Sequence, residues 1–412
     1  MNQQLLDVNN LKVVLGSKTI LQDVSFSANV GEFIGIIGPN AAGKSTLLRC
    51  LRGLLPPADG MIRLYGQNIA GLKDKQLALQ VAYMQQELNI GFGYTGLELV
   101  LAGRYPHLKW WQNERQQDIE IALEFMKFTG VSDLADTPVE CVSGGQRQRI
   151  LLAKVLAQQT QLVFLDEPTA SLDLVYQEEM FRYCQNMCSQ GKTMLIVAHD
   201  LKLAAKFCSR LILIAGGSIV ADGVPSKVIT EENLKTAYGM QAAVFTNKVT
   251  GALDLHTYAA HDSVCSQRKV HVIGGGGTAG AVLRLLYERG CNITCGVLAE
   301  GDADAEAAKA FKIPGIFIPP FSVIAEESAE QHREQIAQAD LTILTNVCFG
   351  DLNLDNLRAA FKAKKLIILE DTPIEQRDYS GGKATNLYRE LVKKANTTVI
   401  TSEQLAAQLP LR

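Results

Sequence analysis

The sequence predicts an α/β protein of two domains in series, the second a doubly wound parallel sheet. Three observations carry that prediction. Residues 33–46 (FIGIIGPNAAGKST) run from an apolar strand through a glycine-rich turn into a helix start. From Lys269 onward, apolar runs of strand length alternate strictly with helix-like segments. Such a βα repeat gives a parallel sheet with helices on both faces. Between the two patterns, Ala260–Arg268 (AHDSVCSQR) is polar and unpatterned, as a linker would be. The expected division is 1–260, a linker at 261–268, and 269–412.

Composition narrows the class. A chain of 412 residues has room for two or three domains, at roughly 100–200 residues each. With 47% hydrophobic and 20% charged residues, it lacks the composition of a disordered chain. Forty basic against 43 acidic residues give a net charge of −3. Without a clustered basic face, charge-steered binding of nucleic acid is not expected. The N-terminal MNQQLLDVNN has no basic region followed by an apolar one, and no run of 18 apolar residues occurs, so neither a secretory signal nor a bilayer span is expected. Nine cysteines are too sparse for a disulfide framework. The C-x3-C pairs Cys184/Cys188 and Cys291/Cys295 therefore read as buried reduced thiols, and the compartment as the cytosol.

In the first domain the spacing Gly38-x4-Gly43-Lys44-Ser45 forms a phosphate-binding P-loop between strand and helix. Its residues are Gly38, Pro39, Asn40, Ala41, Ala42, Gly43, Lys44, Ser45 and Thr46. Curled backbone N–H groups and the helix N-terminus would hold phosphates. Lys44 would reach the β- and γ-phosphates of ATP, and the Ser45 hydroxyl would ligate Mg²⁺. Gln161–Pro168 (QLVFLDEP) is an apolar strand ending in two carboxylates. Asp166 stands where it would help hold Mg²⁺, and Glu167 where it would polarise the attacking water. Ser143-Gly144-Gly145-Gln146 opens another helix with a hydroxyl and unobstructed backbone, a second phosphate cradle. One nucleotide hardly needs two cradles from one chain, so a shared site is expected.

This ordered set resembles the ATPase subunit of ABC transporters, for which Ser143–Gln146 matches the signature motif. The resemblance implies further roles. Gln86 matches the Q-loop glutamine, a Mg²⁺ ligand. Ser171-Leu172-Asp173 matches the D-loop, and His199 the switch histidine at the γ-phosphate. It also implies a homodimer that sandwiches two ATP molecules, each between one copy's P-loop and the other's signature. Two departures stand out. Leu15 occupies the place of an adenine-stacking aromatic, which would reduce stacking to an apolar contact. Ala41 stands where many members have glycine, and little effect is expected there because the P-loop pattern leaves that position free.

Residues 96–111 (GLELVLAGRYPHLKWW) are similar to a segment of the iron-siderophore, haem and vitamin B12 importer ATPases. That likeness implies a peripheral protein at the cytoplasmic face of the membrane. Its partners would be integral permease subunits and, indirectly, an extracytoplasmic substrate-binding protein. From the residues alone, Arg104, Tyr105 and His107 read as an exposed polar turn. Trp110 and Trp111 would pack against a partner helix or into the core. The competing class is a soluble, non-transport ABC ATPase, but such proteins usually carry tandem ATPase domains or a coiled-coil insertion, and neither is present.

The second domain offers strands at Val270–Ile273, Ile293–Leu298, Gly315–Ile318, Leu341–Thr345, Leu366–Leu369 and Thr397–Ile400. After the first, Gly275-x-Gly277-x-x-Gly280 opens a helix, and Glu300 follows the second. This is the dinucleotide fingerprint with its ribose-binding acid, so a nucleotide or dinucleotide is expected here. The loop Arg377–Thr385 (RDYSGGKAT) offers a second anion cradle. Three readings stay open: a ligand sensor, an enzyme acting on the imported cofactor, and a degenerate module for dimer contact. The sensor is favoured because no catalytic constellation is visible. In the first domain, Lys44→Ala or Glu167→Gln is expected to abolish steady-state ATP hydrolysis, and wild-type turnover of either variant with its membrane partner would contradict the assignment.

Overall fold

The computed structural model describes residues 3–85, 93–170, 172–247, 251–258 and 268–408. The chain forms two compact units, one of Met1–Gly239 with Thr246–Leu255 and one of Met240–Phe245 with His256–Arg412. The expected linker lies almost wholly outside the described residues.

In the first unit, Phe33–Ile37, Leu162–Asp166 and Thr193–Val197 are buried at every position. Runs apolar on both faces are what the interior of a parallel sheet requires. They sit within a six-stranded sheet ordered Ser218–Gly223, Arg210–Ala215, Phe33–Ile37, Thr193–Val197, Leu162–Asp166, Val81–Met84. Only Ser218–Gly223 runs antiparallel to its neighbour. A second, antiparallel sheet pairs Gln4–Leu15 with Lys18–Asn29 and with Asp59–Leu64. Helix Lys44–Leu51 lies between the two sheets, and its Leu47, Leu48 and Leu51 join Leu6, Leu21, Ile36 and Phe164 in one apolar core.

The segment around Arg104 departs from the expected exposed turn. It forms a 3-10 turn, Ala102–His107, packed on helix Gly144–Ala157, where a Cβ on Gly103 would lie 2.1 Å from the Lys154 carbonyl oxygen. Arg104 is buried. Its Nε donates to Asp118 Oδ1 at 2.9 Å, and its Nη1 donates to the Ala157 carbonyl at 2.9 Å and to Gln159 Oε1 at 3.0 Å. His107 bonds the Gln158 carbonyl at 2.8 Å. Arg104 and His107 thus clasp the C-terminal end of the helix that begins at the signature; Tyr105 and His107 are exposed as expected, and Arg104 is not. Trp110 and Trp111 are 91% and 63% exposed and pack edge-to-face on each other rather than in the core.

The second unit is a six-stranded sheet ordered Gly315–Ile318, Asn292–Ala299, Lys269–Ile273, Leu341–Leu344, Leu366–Leu369, Thr397–Ile400, parallel throughout. All six strands were expected. Alternate residues feed opposite faces, as the two-residue period of a strand dictates. Val272, Ile343 and Ile367 enter one apolar cluster with Leu283 and Leu286, while Ile273, Leu344 and Ile368 enter another with Leu357 and Leu391.

Two histidines, His271 and His332, form a buried pair at this sheet. The His271 and His332 Nε2 atoms lie 3.0 Å apart, and His271 Nδ1 is 2.9 Å from Thr294 Oγ1. The His332 ring also bonds the Gly296 backbone. One chain of donors satisfies all three contacts with both rings neutral: Thr294 O–H to His271, His271 N–H to His332, and His332 N–H to the Gly296 carbonyl. Burial pushes His332 down from 6.5 to about 4 and His271 well below 6.5. Below 6.5 the unfolded chain binds protons that the folded pair refuses, so stability falls as pH drops below 6.5, and the His332 contribution levels off near 4. Denaturant melts of the full chain are expected to lose about 1.4 kcal/mol per pH unit per histidine over this window, and His332→Gln should flatten that slope. A pH-independent second-unit transition in the wild type would contradict this account.

Candidate functional site

Three adjacent strands of the first unit end in register at one sheet edge, with Ile36 opposite Val197 and Asp166 opposite Val197. Gly38, Glu167 and His199 therefore emerge side by side. At Gly38 (φ +148°) a Cβ would lie 2.0 Å from the Ile214 carbonyl oxygen, so the turn can pass only with glycine. Gly43, in the left-handed region at φ +98°, caps helix Lys44–Leu51. Asn40 to Thr46 line a cleft of about 460 Å³ together with Lys18, Ile20, Glu167 and His199.

Within the loop, Lys44 Nζ donates to the Gly38 and Pro39 carbonyls, each at 2.8 Å. Burial pushes this ammonium's pKa down, against the upward pull of Glu167 and Asp166. Ser45 Oγ donates to Asp166 Oδ1 at 2.8 Å and the Tyr83 hydroxyl donates to Oδ2 at 3.1 Å. Burial raises the Asp166 pKa while those two bonds oppose the rise. Glu167 adopts φ +50°, a strained conformation for a residue other than glycine, and its Oε1 lies 2.6 Å from His199 Nε2. Ser45 and Asp166 offer hard oxygen donors in contact, which suits Mg²⁺, an ion that takes one or two protein oxygens plus phosphate and water. No cluster of three or more His, Cys, Asp or Glu able to hold a metal occurs among the described residues, as such a sparse donor set entails.

Ala41 sits at φ +62°. The substitution of alanine for glycine at this position thus carries a backbone cost of about 1 kcal/mol, where little effect was expected. Leu15 is 44% exposed and does not line the cleft, whereas Ile20 does. Gln86 and Ser171 lie outside the described residues.

Ser143–Gln146 is a capping box: Gln146 N donates to Ser143 Oγ at 3.2 Å, and Ser143 N donates to Gln146 Oε1 at 2.9 Å. Gly144 and Gly145 form the first turn, and none of the four residues lines the P-loop cleft. Asp173 caps helix Leu174–Ser189 through Tyr176 N at 3.1 Å. The two residues that follow it, Leu174 and Val175, are 78% and 66% exposed.

The second unit's glycine turn is built differently. Asp304 Oδ1 accepts from Ala279 N and Gly280 N at 2.9 Å, and its Oδ2 accepts from Gly275 N at 2.8 Å. Asp302 Oδ2 accepts from Gly276 N at 2.7 Å. Burial pushes the Asp304 pKa up while those backbone donors hold it down. A dinucleotide's pyrophosphate draws on these same N–H groups, so at Gly275 and Gly280 of the fingerprint the protein's own carboxylates take that place, while among the described residues no such contact is made at Gly277. Glu300 follows strand Asn292–Ala299 as expected but is exposed, with Lys309 at 3.6 Å. The expected cradle at Arg377–Thr385 is closed in the same way. Asp378 accepts from the backbone and hydroxyl of both Ser380 and Thr385, which hold its carboxyl far below the usual carboxylate range. Arg377 is buried against the Thr372 and Val347 carbonyls, and Lys383 pairs with Asp351 at 2.8 Å.

Sequence reasoning missed Asp302, Asp304 and Asp378 as loop fillers, and Tyr83 as a partner of Asp166. Aspartates three and five residues past the end of strand Asn292–Ala299 were the available signal for Asp302 and Asp304. For Tyr83 none existed, because its contact spans 83 residues of sequence.

Comparison with known proteins agrees with this geometry. Residues 21–170 match the ABC transporter family and residues 293–406 the MJ0874 family. The cobalamin import ATP-binding protein of Halobacterium salinarum is 35% identical over 338 residues, 82% of this chain and 84% of the relative. The chain belongs to the ATP-binding proteins of ABC transporters. It is an ABC ATPase in fold and in motif order. The ferric enterobactin transport ATP-binding protein of Escherichia coli is 38% identical over 57% of this chain and 88% of its own length. The hemin import ATP-binding protein of Streptomyces coelicolor is 38% identical over 60% and 88%. A solved inward-facing metal-chelate type ABC transporter superposes with a TM-score of 0.55 at 25% identity, covering 63% of this ABC ATPase and 99% of that chain. At 338 residues, the match to the cobalamin protein is longer than the first unit and so runs into the second. Among the described residues, no helix is long and apolar enough to cross a membrane.

Loss of the Tyr83 hydroxyl should loosen Asp166 without touching the chemistry. Tyr83→Phe is expected to raise the Mg²⁺ concentration that half-saturates hydrolysis roughly tenfold, with turnover at saturating Mg²⁺ nearly unchanged. A Mg²⁺ titration identical to wild type would remove Tyr83 from this role.

Proposed function

We propose that this chain is the ATP-hydrolysing subunit of an importer for metal chelates, working as a homodimer on the cytoplasmic face of a membrane permease. The observation that carries the proposal is the 2.6 Å Glu167–His199 contact at the mouth of the P-loop cleft, with the signature turn outside that cleft. Each chain thus holds half a site. Lys44 and the loop N–H groups bind the β- and γ-phosphates, which draws Lys44 away from the Gly38 and Pro39 carbonyls. Ser45 and Asp166, with Gln86, hold Mg²⁺, which supplies charge neutralisation between the phosphates when bound. Glu167 takes the proton of the attacking water, and His199 orients that carboxylate and meets the γ-phosphate.

Ser143, Gly144, Gly145 and Gln146 present their helix N-terminus to the nucleotide of the second copy, and Asp173 with exposed Leu174 and Val175 belongs to the same face. ATP then closes the dimer, and hydrolysis opens it. A two-state interface of that kind can drive a permease and its external binding protein. Corrinoid cargo of the cobalamin type is favoured over haem and siderophore, since the match running into the second unit is to a cobalamin import protein. The second unit is read as a sensor of a small ligand that adjusts the ATPase.

Light scattering of Glu167→Gln with ATP and Mg²⁺ tests the shared site. The variant is expected to accumulate as a dimer, to revert to monomer without nucleotide, and to fail to dimerise when Ser143→Arg is added. A monomer at all ATP concentrations would overturn the composite-site reading. Uptake of labelled cobalamin, haem and ferric siderophore by cells lacking the chain then separates the three cargoes.

A further inference from the structure

The second unit holds a cleft of about 790 Å³ at the C-terminal edge of its sheet, larger than the P-loop cleft. Strand Lys269–Ile273 lies between Asn292–Ala299 and Leu341–Leu344, so the strand order reverses direction beside it. Ligands of open parallel sheets bind in the crevice at such a reversal. The cleft is bounded there by the turns after all three strands, Gly274–Gly276, Glu300–Asp302 and Val347–Cys348.

The chemistry of its wall disfavours phosphate. Lys, Arg and His do not occur among its lining residues, whereas Glu300, Asp302 and Asp351 do, with Lys309 and Lys383 outside the lining paired to Glu300 and Asp351. The turn N–H groups of Gly275, Gly276, Ala279 and Gly280 already donate to Asp302 and Asp304. An anion placed in the turn would meet two carboxylates and find its donors engaged. The rest of the wall mixes apolar side chains, among them Leu298, Ile318 and Ile324, with the neutral polar groups of Ser322, Asn353 and Asn356. At the lining's edge stand two apolar side chains left in water, Phe321 at 94% exposure and Leu352 at 44%. Phe321 is held at φ +58°, a costly conformation for an aromatic residue. A flat apolar body that covers Phe321 and Leu352, together with hydroxyl donors for Glu300 and Asp302, would satisfy both halves of the wall.

We propose that this cleft binds an unphosphorylated purine nucleoside, its base against the apolar wall and its ribose hydroxyls toward Glu300 and Asp302, and that it rejects nucleotides. The inference rests on the reading of the second unit as a small-molecule sensor and names its ligand class. It differs from a dinucleotide site in one respect that can be measured: a phosphate weakens binding instead of strengthening it.

Equilibrium dialysis of tritiated adenosine against the full chain tests this. One adenosine per chain is expected, unaffected by a saturating non-hydrolysable ATP analogue in the first unit. Unlabelled AMP and NAD should compete at least tenfold more weakly than adenosine. The double variant Phe321→Asp, Leu352→Asp, at exposed positions, should lose at least tenfold in adenosine affinity while still binding the ATP analogue. AMP or NAD competing as well as adenosine would overturn the nucleoside assignment and leave a ligand-binding second unit. No saturable binding of adenosine, AMP or NAD that responds to the double variant would overturn that reading as well.

Discussion

A helix that begins directly after a glycine turn presents backbone N–H groups with no partner inside the helix, and an anion has to answer them. The source of that anion separates the two units of this protein. In the second unit, Asp304 and Asp302 answer the turn at Gly275–Gly280, and Asp378 answers the turn before Lys383. In the first, the neighbouring carboxylates are committed elsewhere, Asp166 to Ser45 and Tyr83 and Glu167 to His199. Lys44 meanwhile rests on two carbonyls of its own loop. That arrangement leaves the P-loop dependent on an external anion, and makes ATP the completing piece of the first unit's architecture.

The same contrast marks how far the sequence could be read. Strand positions were legible because a buried parallel strand leaves an unbroken apolar run, as at Leu366–Leu369, and because the alternation of runs and helices has few other solutions. The P-loop chemistry was legible because its residues are adjacent in sequence and its strand–turn–helix context is local. The glycine fingerprint at 275–280 was just as visible, but it did not disclose the carboxylates that meet its turn. A motif records the shape of a turn, while the group that fills it comes from Asp304, 24 residues beyond Gly280. Gly277 and Gly280 fit the turn whether a ligand or a side chain sits in it.

Arg104 teaches a related lesson. An arginine in a polar run reads as surface, yet this one is buried on a carboxylate, a helix-terminal carbonyl and an amide. A buried charge is tolerable only when paired and hydrogen-bonded, and each of its partners lies at least 14 residues away in sequence. Its position ties the turn Ala102–His107 to the far end of the helix that starts at Ser143. The signature turn and the neighbouring surface loop are thereby parts of one rigid piece, so a displacement of either is carried to the other.

That loop also carries an optical consequence. The chain's two tryptophans are Trp110 and Trp111, adjacent in sequence, edge-to-face and both turned to water. Nearly all the indole emission of the protein therefore originates from one patch beside the Arg104 clasp, with the long wavelength of a hydrated ring. Contact with a membrane partner at this patch would register as a blue shift with no label added, and events deep in either unit would leave the spectrum almost unchanged.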